Sequence, residues 1–195
     1  MNTKHIDRAR LPLILLALAF GAGTVVSLSE CTGSHPTAGD PNWLTPPVTT
    51  AALSVPGGAA PTARFHGTGV QIYTCTAAAD STRTPAWSLK GPDAVLLDAG
   101  GAEAGTHGIG PAWTSKQDGS SVVGTKVAQA DAPAAGAVPW LLLQAKSHGG
   151  AGTFSTVAFI QRLNTAGGVA PAAGCSAATI GAETRVAYEA DYYFY

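Results

Sequence analysis

The sequence predicts an all-β fold, a single antiparallel β-sandwich or β-barrel with long loops rich in glycine and proline. The first reason is composition: 24 glycines and 13 prolines accompany 46% hydrophobic and only 12% charged residues. These proportions are typical of a loop-rich β protein and not of disorder. The second reason is that short β-type runs recur between Gly, Pro, Asp and Asn clusters. The third is that no long apolar pattern with a 3.6-residue period follows the N-terminal segment.

The N-terminal segment has the pattern of an export signal. Lys4, Arg8 and Arg10 precede an uncharged apolar run over residues 11–28, and small residues suited to signal-peptidase cleavage end it. We therefore expect residues 1–29 to be a signal peptide. A retained membrane anchor is the alternative, since the run approaches the roughly 18 residues of a spanning helix. The glycines in its second half favour cleavage.

Cys31 follows directly and raises a second alternative. Leu28-Ser29-Glu30-Cys31 has the outline of a lipid-attachment box, although the residue before a modified cysteine is normally small and here it is Glu30. We expect a secreted or periplasmic protein, with an outer-membrane or cell-surface lipoprotein as the alternative. Contact with a membrane is expected only through the signal peptide or a lipid on Cys31.

Charge and length limit what the mature chain can be. Removing residues 1–29 leaves eight basic and eleven acidic residues without any cluster of Lys or Arg. Such a balance argues against nucleic acid as a partner. Residues 30–50 are broken by glycine and proline and are expected to form a flexible linker. Residues 51–195 suffice for one β domain with its own core.

Four short runs of β-forming residues occupy the first half of this domain. Gly67-Thr68-Gly69 separates the first two, and Gly91-Pro92-Asp93 separates the other two, because glycine and proline interrupt regular strand pairing. The four predicted strands cover residues 63–66, 70–76, 86–90 and 94–98.

Four longer runs occupy the second half. Asp118-Gly119, a hairpin-turn pair, precedes the first, and Pro139 precedes the second. The third is apolar on both faces, which predicts a central strand. In the last, large apolar side chains such as Tyr192 and Phe194 alternate with mostly polar ones, so one face should be buried. These strands are predicted over residues 121–129, 140–146, 153–163 and 184–195.

Two cysteines of the mature domain are expected to pair. Cys75 ends a strand-like run and Cys175 follows a turn rich in proline and glycine, and exported proteins favour disulfides. The alternative, that they are metal ligands, has little support because two isolated thiols lack a CxxC spacing.

Candidate ligand-binding residues are polar or aromatic side chains scattered among the apolar runs. His66 and His107 could meet as a metal pair, but each is better explained by local hydrogen bonds, and no metal site and no cofactor are expected. Asp118 is first a turn residue and otherwise a carboxylate beside His107. Trp113 is the tryptophan best placed to stack on a sugar ring.

A denser polar cluster ends the predicted central strand. It consists of Gln161, Arg162 and Asn164. Arg162 is expected to pair with Asp191 or Glu189, because a buried arginine is seldom unpaired.

Several ordered motifs resemble the family known as domain of unknown function 3455. They are Gly105-Thr106-His107, Gly110-Pro111, Trp113, Asp118-Gly119-Ser120, residues 139–143 and 160–168, and the aromatic C-terminus. The resemblance spans residues 48–195 and implies a secreted, mostly β domain of unknown activity. Gly108 and Ile109 depart from the Tyr-Ala of the family pattern. A malate dehydrogenase label carried by some members does not fit, because Gly67-Thr68-Gly69 is followed by neither a third glycine nor a helix.

The chain contains none of the motifs that identify common enzymes. It has no GxSxG nucleophile elbow, no HExxH pair and no phosphate-binding loop. We therefore expect a non-catalytic domain that is structural or binds a ligand, with cell-envelope or extracellular polymer as a candidate partner. The alternative is a metal-binding protein or enzyme using His66 and His107, and whether any catalysis occurs is left open.

Overall fold

The computed structural model describes residues 40–77 and 84–195; the expected signal peptide and Cys31 lie outside the described residues. The described chain forms one closed antiparallel β-barrel of eight strands, in which each strand pairs with the next and the last pairs with the first. The fold is thus all-β, as expected, and of the two expected architectures it is the barrel. The strands are β1 (Ala63–Thr76), β2 (Ala86–Leu97), β3 (Glu103–Gly108), β4 (Ala112–Ser115), β5 (Ser121–Ala130), β6 (Trp140–Gly149), β7 (Phe159–Gly167) and β8 (Glu183–Phe194).

The first four predicted strands are in fact two long ones, β1 and β2. Glycines lie within β1 because neighbouring groups approach its backbone closely: a Cβ at Gly69 would lie 2.3 Å from the Asp93 carbonyl oxygen, and one at Gly67 would lie 2.7 Å from the Tyr192 ring. Gly91 lies at a bulge in β2, where its φ of 147° suits glycine. Glycine here permits close packing inside strands instead of ending them.

Two short strands, β3 and β4, are absent from the sequence-based prediction. They are 6 and 4 residues long and contain few apolar side chains, so they lack the run that identifies a strand. The predicted central strand 153–163 begins only at Phe159. The preceding loop instead buries Phe154 and Val157 in the core.

The interior of the barrel is packed at one end by aromatic rings. Phe65 meets Phe154 and Phe194 edge-on at centroid distances of 5.8 and 5.9 Å, and Trp113 meets Phe194 at 5.9 Å. Edge-to-face pairs of this kind add about 0.5–1.5 kcal/mol each to the free energy of area burial. The expected buried face of β8 supplies this core with Tyr188, Ala190, Tyr192 and Phe194.

A second apolar cluster lies on the outside of the barrel wall. It contains Leu53, Leu142, Leu163 and Tyr193, with Leu53 supplied by a short 3₁₀ turn (Ala51–Leu53). The same outer face carries Arg64, whose guanidinium lies 4.1 Å from the Trp43 ring and also faces Tyr193. Residues 43–53 thus cover part of β1 and β6–β8.

The expected disulfide between Cys75 and Cys175 is present, with the two Cα atoms 5.3 Å apart. It joins the end of β1 to the loop before β8. Closing a loop of about 100 residues is worth at most about 4.7 kcal/mol in the chain-entropy model. Within the described residues, no helix has the length and apolar character needed to span a membrane.

Candidate functional site: a cavity inside the barrel

The barrel interior is filled at the aromatic end and open at the other, where a cavity of about 390 Å³ lies between the strands. Eight strands enclose an interior wide enough to hold one small ligand. Leu89 and Ile109, both more than half exposed, stand at its mouth. The lining consists of Gln71, Leu89, Lys90, Gly91, Pro92, His107, Ile109, Gly110, Pro111, Trp113, Lys126, Leu141, Leu143, Arg162 and Tyr192.

Strand alternation explains which side chains face this cavity. Side chains at i and i+2 share a face, so Arg162 of β7 points inward with Ile160, and Gln161 points outward. Leu141 of β6 and Tyr192 of β8 lie directly beside Arg162 in the register. The cavity therefore has an arginine in its wall, flanked by an aliphatic and a phenolic side chain.

The charged residues of the lining are all cationic. Lys90 is paired with Glu183 at 2.6 Å, and Lys126 donates to Gln129 Oε1 at 2.7 Å. Arg162 donates from Nε and Nη2 to the Pro139 carbonyl oxygen at 3.2 and 2.8 Å. Neither Arg162 nor Lys126 forms an ion pair with a carboxylate of the described residues. Because the lining contains cationic groups and no carboxylate, the charges in the wall favour an anion over a cation.

Two further polar side chains of the lining are buried without a protein partner. Gln71 is 1% exposed and neither its Nε2 nor its Oε1 meets a hydrogen-bonding group in residues 40–77 and 84–195. Trp113 is also 1% exposed, and its Nε1 likewise has no acceptor among the described residues. Leaving a buried polar group unpaired costs about 1–3 kcal/mol, so such groups call for an explanation.

His107 is buried against the inner face of Trp113, with ring centroids 4.4 Å apart and the planes nearly parallel. Its Nδ1 lies 2.9 Å from the Ala112 carbonyl oxygen, which can only accept, so the proton is on Nδ1. Burial lowers the pKa of His107 to about 3. The imidazole is consequently neutral at physiological pH.

The phenols of Tyr188 and Tyr192 hydrogen-bond to each other inside the barrel. Burial raises the pKa of Tyr192 well above 10, and the nearby Arg162 charge opposes this only in part. Both phenols therefore stay protonated at neutral pH.

His66 lies on the opposite face of the wall from His107. On β1, Gly67 faces the interior and Tyr192, so His66 beside it faces outward, where its Nδ1 is 3.0 Å from Asp191 Oδ1. The structure therefore does not bring the two histidines together. No group of three His, Cys, Asp or Glu suited to a metal ion occurs in the part of the chain that the structure describes.

The expected pairing of Arg162 with Asp191 or Glu189 is wrong. Asp191 lies on the outer face and is bound there by Arg64 at 2.8 Å, with Asn164 Nδ2 donating to it at 2.8 Å. Arg162 points to the inside, where none of the carboxylates of residues 40–77 and 84–195 pairs with it. The polar cluster expected at this strand end is thus divided between the two faces of the wall.

Gln161 and Asp118 have structural partners. Gln161 Nε2 donates to the Leu53 carbonyl at 2.6 Å and its Oε1 accepts from Tyr195. Asp118, in the turn between β4 and β5, accepts from the backbone N–H of Ser120 and of Thr153, each at 2.9 Å. The Ser120 hydroxyl, together with the backbone N–H groups of Thr153 and Ser120 and the Thr153 hydroxyl, holds the pKa of Asp118 well below its usual range. Asp118 therefore anchors the loop at Thr153 and does not lie beside His107.

Trp113 is in the core and not exposed for stacking on a sugar. Trp87 is only partly buried and donates from Nε1 to the Ala173 carbonyl at 3.0 Å. Four polar or charged residues of the cavity lining are missing from the sequence-based candidates: Gln71, Lys90, Lys126 and Tyr192. Gln71 had a detectable signal, since it is a polar residue inside the apolar run 70–76.

A family model described as "Protein of unknown function (DUF3455)" matches residues 56–195, which include the whole barrel. Among curated proteins and among solved structures, nothing matches significantly.

Proposed function

The chain belongs to the DUF3455 family of proteins of unknown function, and we propose from the site itself that it is a non-catalytic protein that binds a small, largely apolar molecule inside the barrel. The observation that carries this proposal is the 390 Å³ cavity with buried, unpartnered polar groups in its wall. Small-molecule sites are typically concave, about 300–1,000 Å³ in volume, and apolar with a few placed polar groups.

The shape of the cavity favours a small molecule over the middle of a polymer chain. Phe65, Phe154 and Phe194 fill the far end of the barrel, so a ligand enters and leaves by the same mouth. A polymer of the cell envelope or the extracellular space would be bound only through a chain end. The cavity has room for about a dozen water molecules at ~30 Å³ each, which indicates the size of ligand that it can hold.

The protonation states in the wall favour binding over acid–base catalysis. A general acid or base works best with a pKa near the operating pH. His107 has a pKa of about 3, and that of Tyr192 is far above neutrality. Neither group exchanges a proton readily at pH 7, whereas both can hydrogen-bond to a bound molecule.

An extracytoplasmic location is part of the proposal. The basic and apolar N-terminal pattern and the Cys75–Cys175 disulfide both suit an oxidising compartment. A barrel that encloses an apolar molecule would shield it from water there.

The test uses N-phenyl-1-naphthylamine, an uncharged dye that fluoresces strongly in apolar surroundings. Titration into the protein should give a saturable rise in fluorescence with one site per chain. The variant Leu141→Trp places an indole in the cavity and should abolish the rise. Val127→Trp adds the same indole at an exposed position outside the lining and should leave it unchanged.

Thermal unfolding of both variants checks that each is folded. If the dye fails to bind the wild type, or binds the folded Leu141→Trp variant as well as the wild type, the barrel interior is not the binding site.

A further inference from the structure

We propose that the ligand is an amphipathic acid whose carboxylate is bound inside the barrel by Arg162, with the Gln71 amide and the Trp113 indole as further donors. The inference rests on the proposed binding function and specifies the class of ligand. It follows from three properties of the cavity: the sign of its charge, the geometry of its donors and the character of its remaining wall.

The lack of a carboxylate partner distinguishes Arg162 from the other arginines of the described domain. Arg64 is paired with Asp191, and Arg185 with Asp93. Arg162 has no such carboxylate among the described residues and lies in the wall of a cavity whose lining contains no Asp or Glu. Arg162 is only partly buried, and an anionic ligand in the cavity would supply the carboxylate partner that the described residues do not provide.

The donor geometry suits a carboxylate. A guanidinium presents five N–H groups in a plane, and the Pro139 carbonyl takes bonds from Nε and Nη2. These two bonds fix the orientation of the plane and leave further N–H groups to form the parallel pair of bonds that arginine makes with carboxylates.

Two additional donors in the wall have no acceptor in the described protein, the Gln71 Nε2 and the Trp113 Nε1. An indole N–H can only donate, so Trp113 needs an acceptor on the ligand. With Arg162 these groups form a set of donors that matches the several lone pairs of an ionised carboxylate.

Aliphatic side chains make up much of the remaining wall and specify the other end of the ligand. Pro92, Pro111, Leu141 and Leu143 line the cavity, and Leu89 and Ile109 extend the apolar surface to its mouth. An aliphatic or aromatic body would bury apolar area against these side chains, at about 25 cal/mol per Å². The acid group therefore lies inside and the apolar body extends towards the mouth.

The experiment compares octanoate, octanol and octylammonium, which share one hydrocarbon chain and differ in the charge of the head group. Each is titrated by calorimetry at neutral pH and by displacement of N-phenyl-1-naphthylamine. Octanoate should bind about tenfold or more tightly than octanol, because hydrogen bonds to a charged group are stronger than neutral ones. Octylammonium should bind more weakly than octanol.

The variants identify the group responsible. Arg162→Gln should remove the preference for octanoate over octanol. Arg185→Gln is the matched control on the outer surface and should retain the preference. If Arg162→Gln does not fold, two other variants replace it: Arg162→Lys, which retains the charge but not the planar fork, and Gln71→Met. Each should reduce the preference for octanoate severalfold.

The outcomes separate this inference from the proposed function. Binding of the dye and of octanol with no preference for octanoate, or a preference that a folded Arg162→Gln variant retains, overturns the carboxylate assignment and leaves the binding function standing. Failure of the dye and of all three octyl compounds to bind overturns both.

Discussion

Arg64 and Asp191 form a buried ion pair on the outside of the barrel wall, with Nη2 and Oδ2 2.8 Å apart and side chains 2% and 4% exposed. Arg162 lies on the inside of the same wall and has no carboxylate partner within residues 40–77 and 84–195. Arg64 therefore has a structural partner, whereas the role proposed for Arg162 is to bind a ligand.

Breaking the buried pair should destabilise the fold strongly. Asp191→Asn removes the charge that Arg64 and His66 face, and losing one partner of a buried pair costs about 3–5 kcal/mol. Asp93→Asn breaks the exposed pair with Arg185 and should cost about 0–1 kcal/mol. Urea unfolding of both variants measures the difference. Equal effects would show that the Arg64–Asp191 pair contributes no more than a surface contact.

Acid should destabilise the protein through His107. Its pKa is about 3 when folded and about 6.5 when unfolded, so between these pH values only the unfolded state binds the proton. Stability should therefore fall as pH decreases through this window, by about 1.4 kcal/mol per pH unit from this group.

The control for this pH dependence is His107→Asn, which retains a donor towards the Ala112 carbonyl but does not titrate. Unfolding free energy measured from pH 7 to pH 4 should have a shallower slope in the variant. Asp191 also contributes to acid destabilisation: burial alone would raise its pKa, but hydrogen bonds from His66, Asn164 and Arg64 and the Arg64 charge together lower it. A residual slope is therefore expected. Identical slopes in both proteins would show that His107 titrates normally.

The two buried glutamines of the barrel should respond in opposite ways to substitution by methionine. Neither polar atom of Gln71 has a partner in the described part of the chain, so Gln71→Met should raise stability by about 1–3 kcal/mol while weakening octanoate binding. Gln161 is hydrogen-bonded to Leu53 and Tyr195, so Gln161→Met should lower stability. Chemical unfolding measures both effects. A loss of stability in Gln71→Met would mean that this amide is satisfied in the free protein.

Reduction of the Cys75–Cys175 disulfide should lower stability by about 2–4 kcal/mol, because the reduced unfolded chain gains conformational freedom. Thermal unfolding with and without dithiothreitol measures this. The double variant Cys75→Ala/Cys175→Ala should match the reduced wild type and should not respond to dithiothreitol. A wild type that also fails to respond would show that the bridge has not formed in the purified protein.

Deletion of residues 186–195 should prevent folding. This segment is most of β8, which pairs with β1 on one side and β7 on the other, so its loss opens two strand edges as well as the core. Tyr188, Tyr192 and Phe194 each contribute about 1.5–3 kcal/mol by burial, against a total stability of about 5–15 kcal/mol. A cooperative thermal transition in the truncated chain would contradict the role of β8 in closing the barrel.

Local properties of the sequence determined the fold class and much of the strand pattern. The alternation in residues 184–195 identified β8 and its buried face, and the positions of Cys75 and Cys175 identified the disulfide. The alternation could be recognised because it involves neighbouring residues, and the disulfide could be recognised because cysteine is a rare residue type. Glycine was misleading within β1 and β2, because its presence there reflects close approach of other groups, which a single sequence does not show.

Only the tertiary structure decided that the sheet closes and which face of each strand lies inside. Alternation places Gln161 and Arg162 on opposite faces, but it does not say which face meets the interior. That depends on the pairing of β1 with β8, whose paired residues are far apart in sequence. Once the barrel is closed, Asp191 lies outside with Arg64, Arg162 lies inside without a carboxylate among the described residues, and the His66 and His107 rings are separated by the wall. The cavity is thus a product of closure, because its lining comes from all eight strands, and these surround one space only when the ring is complete.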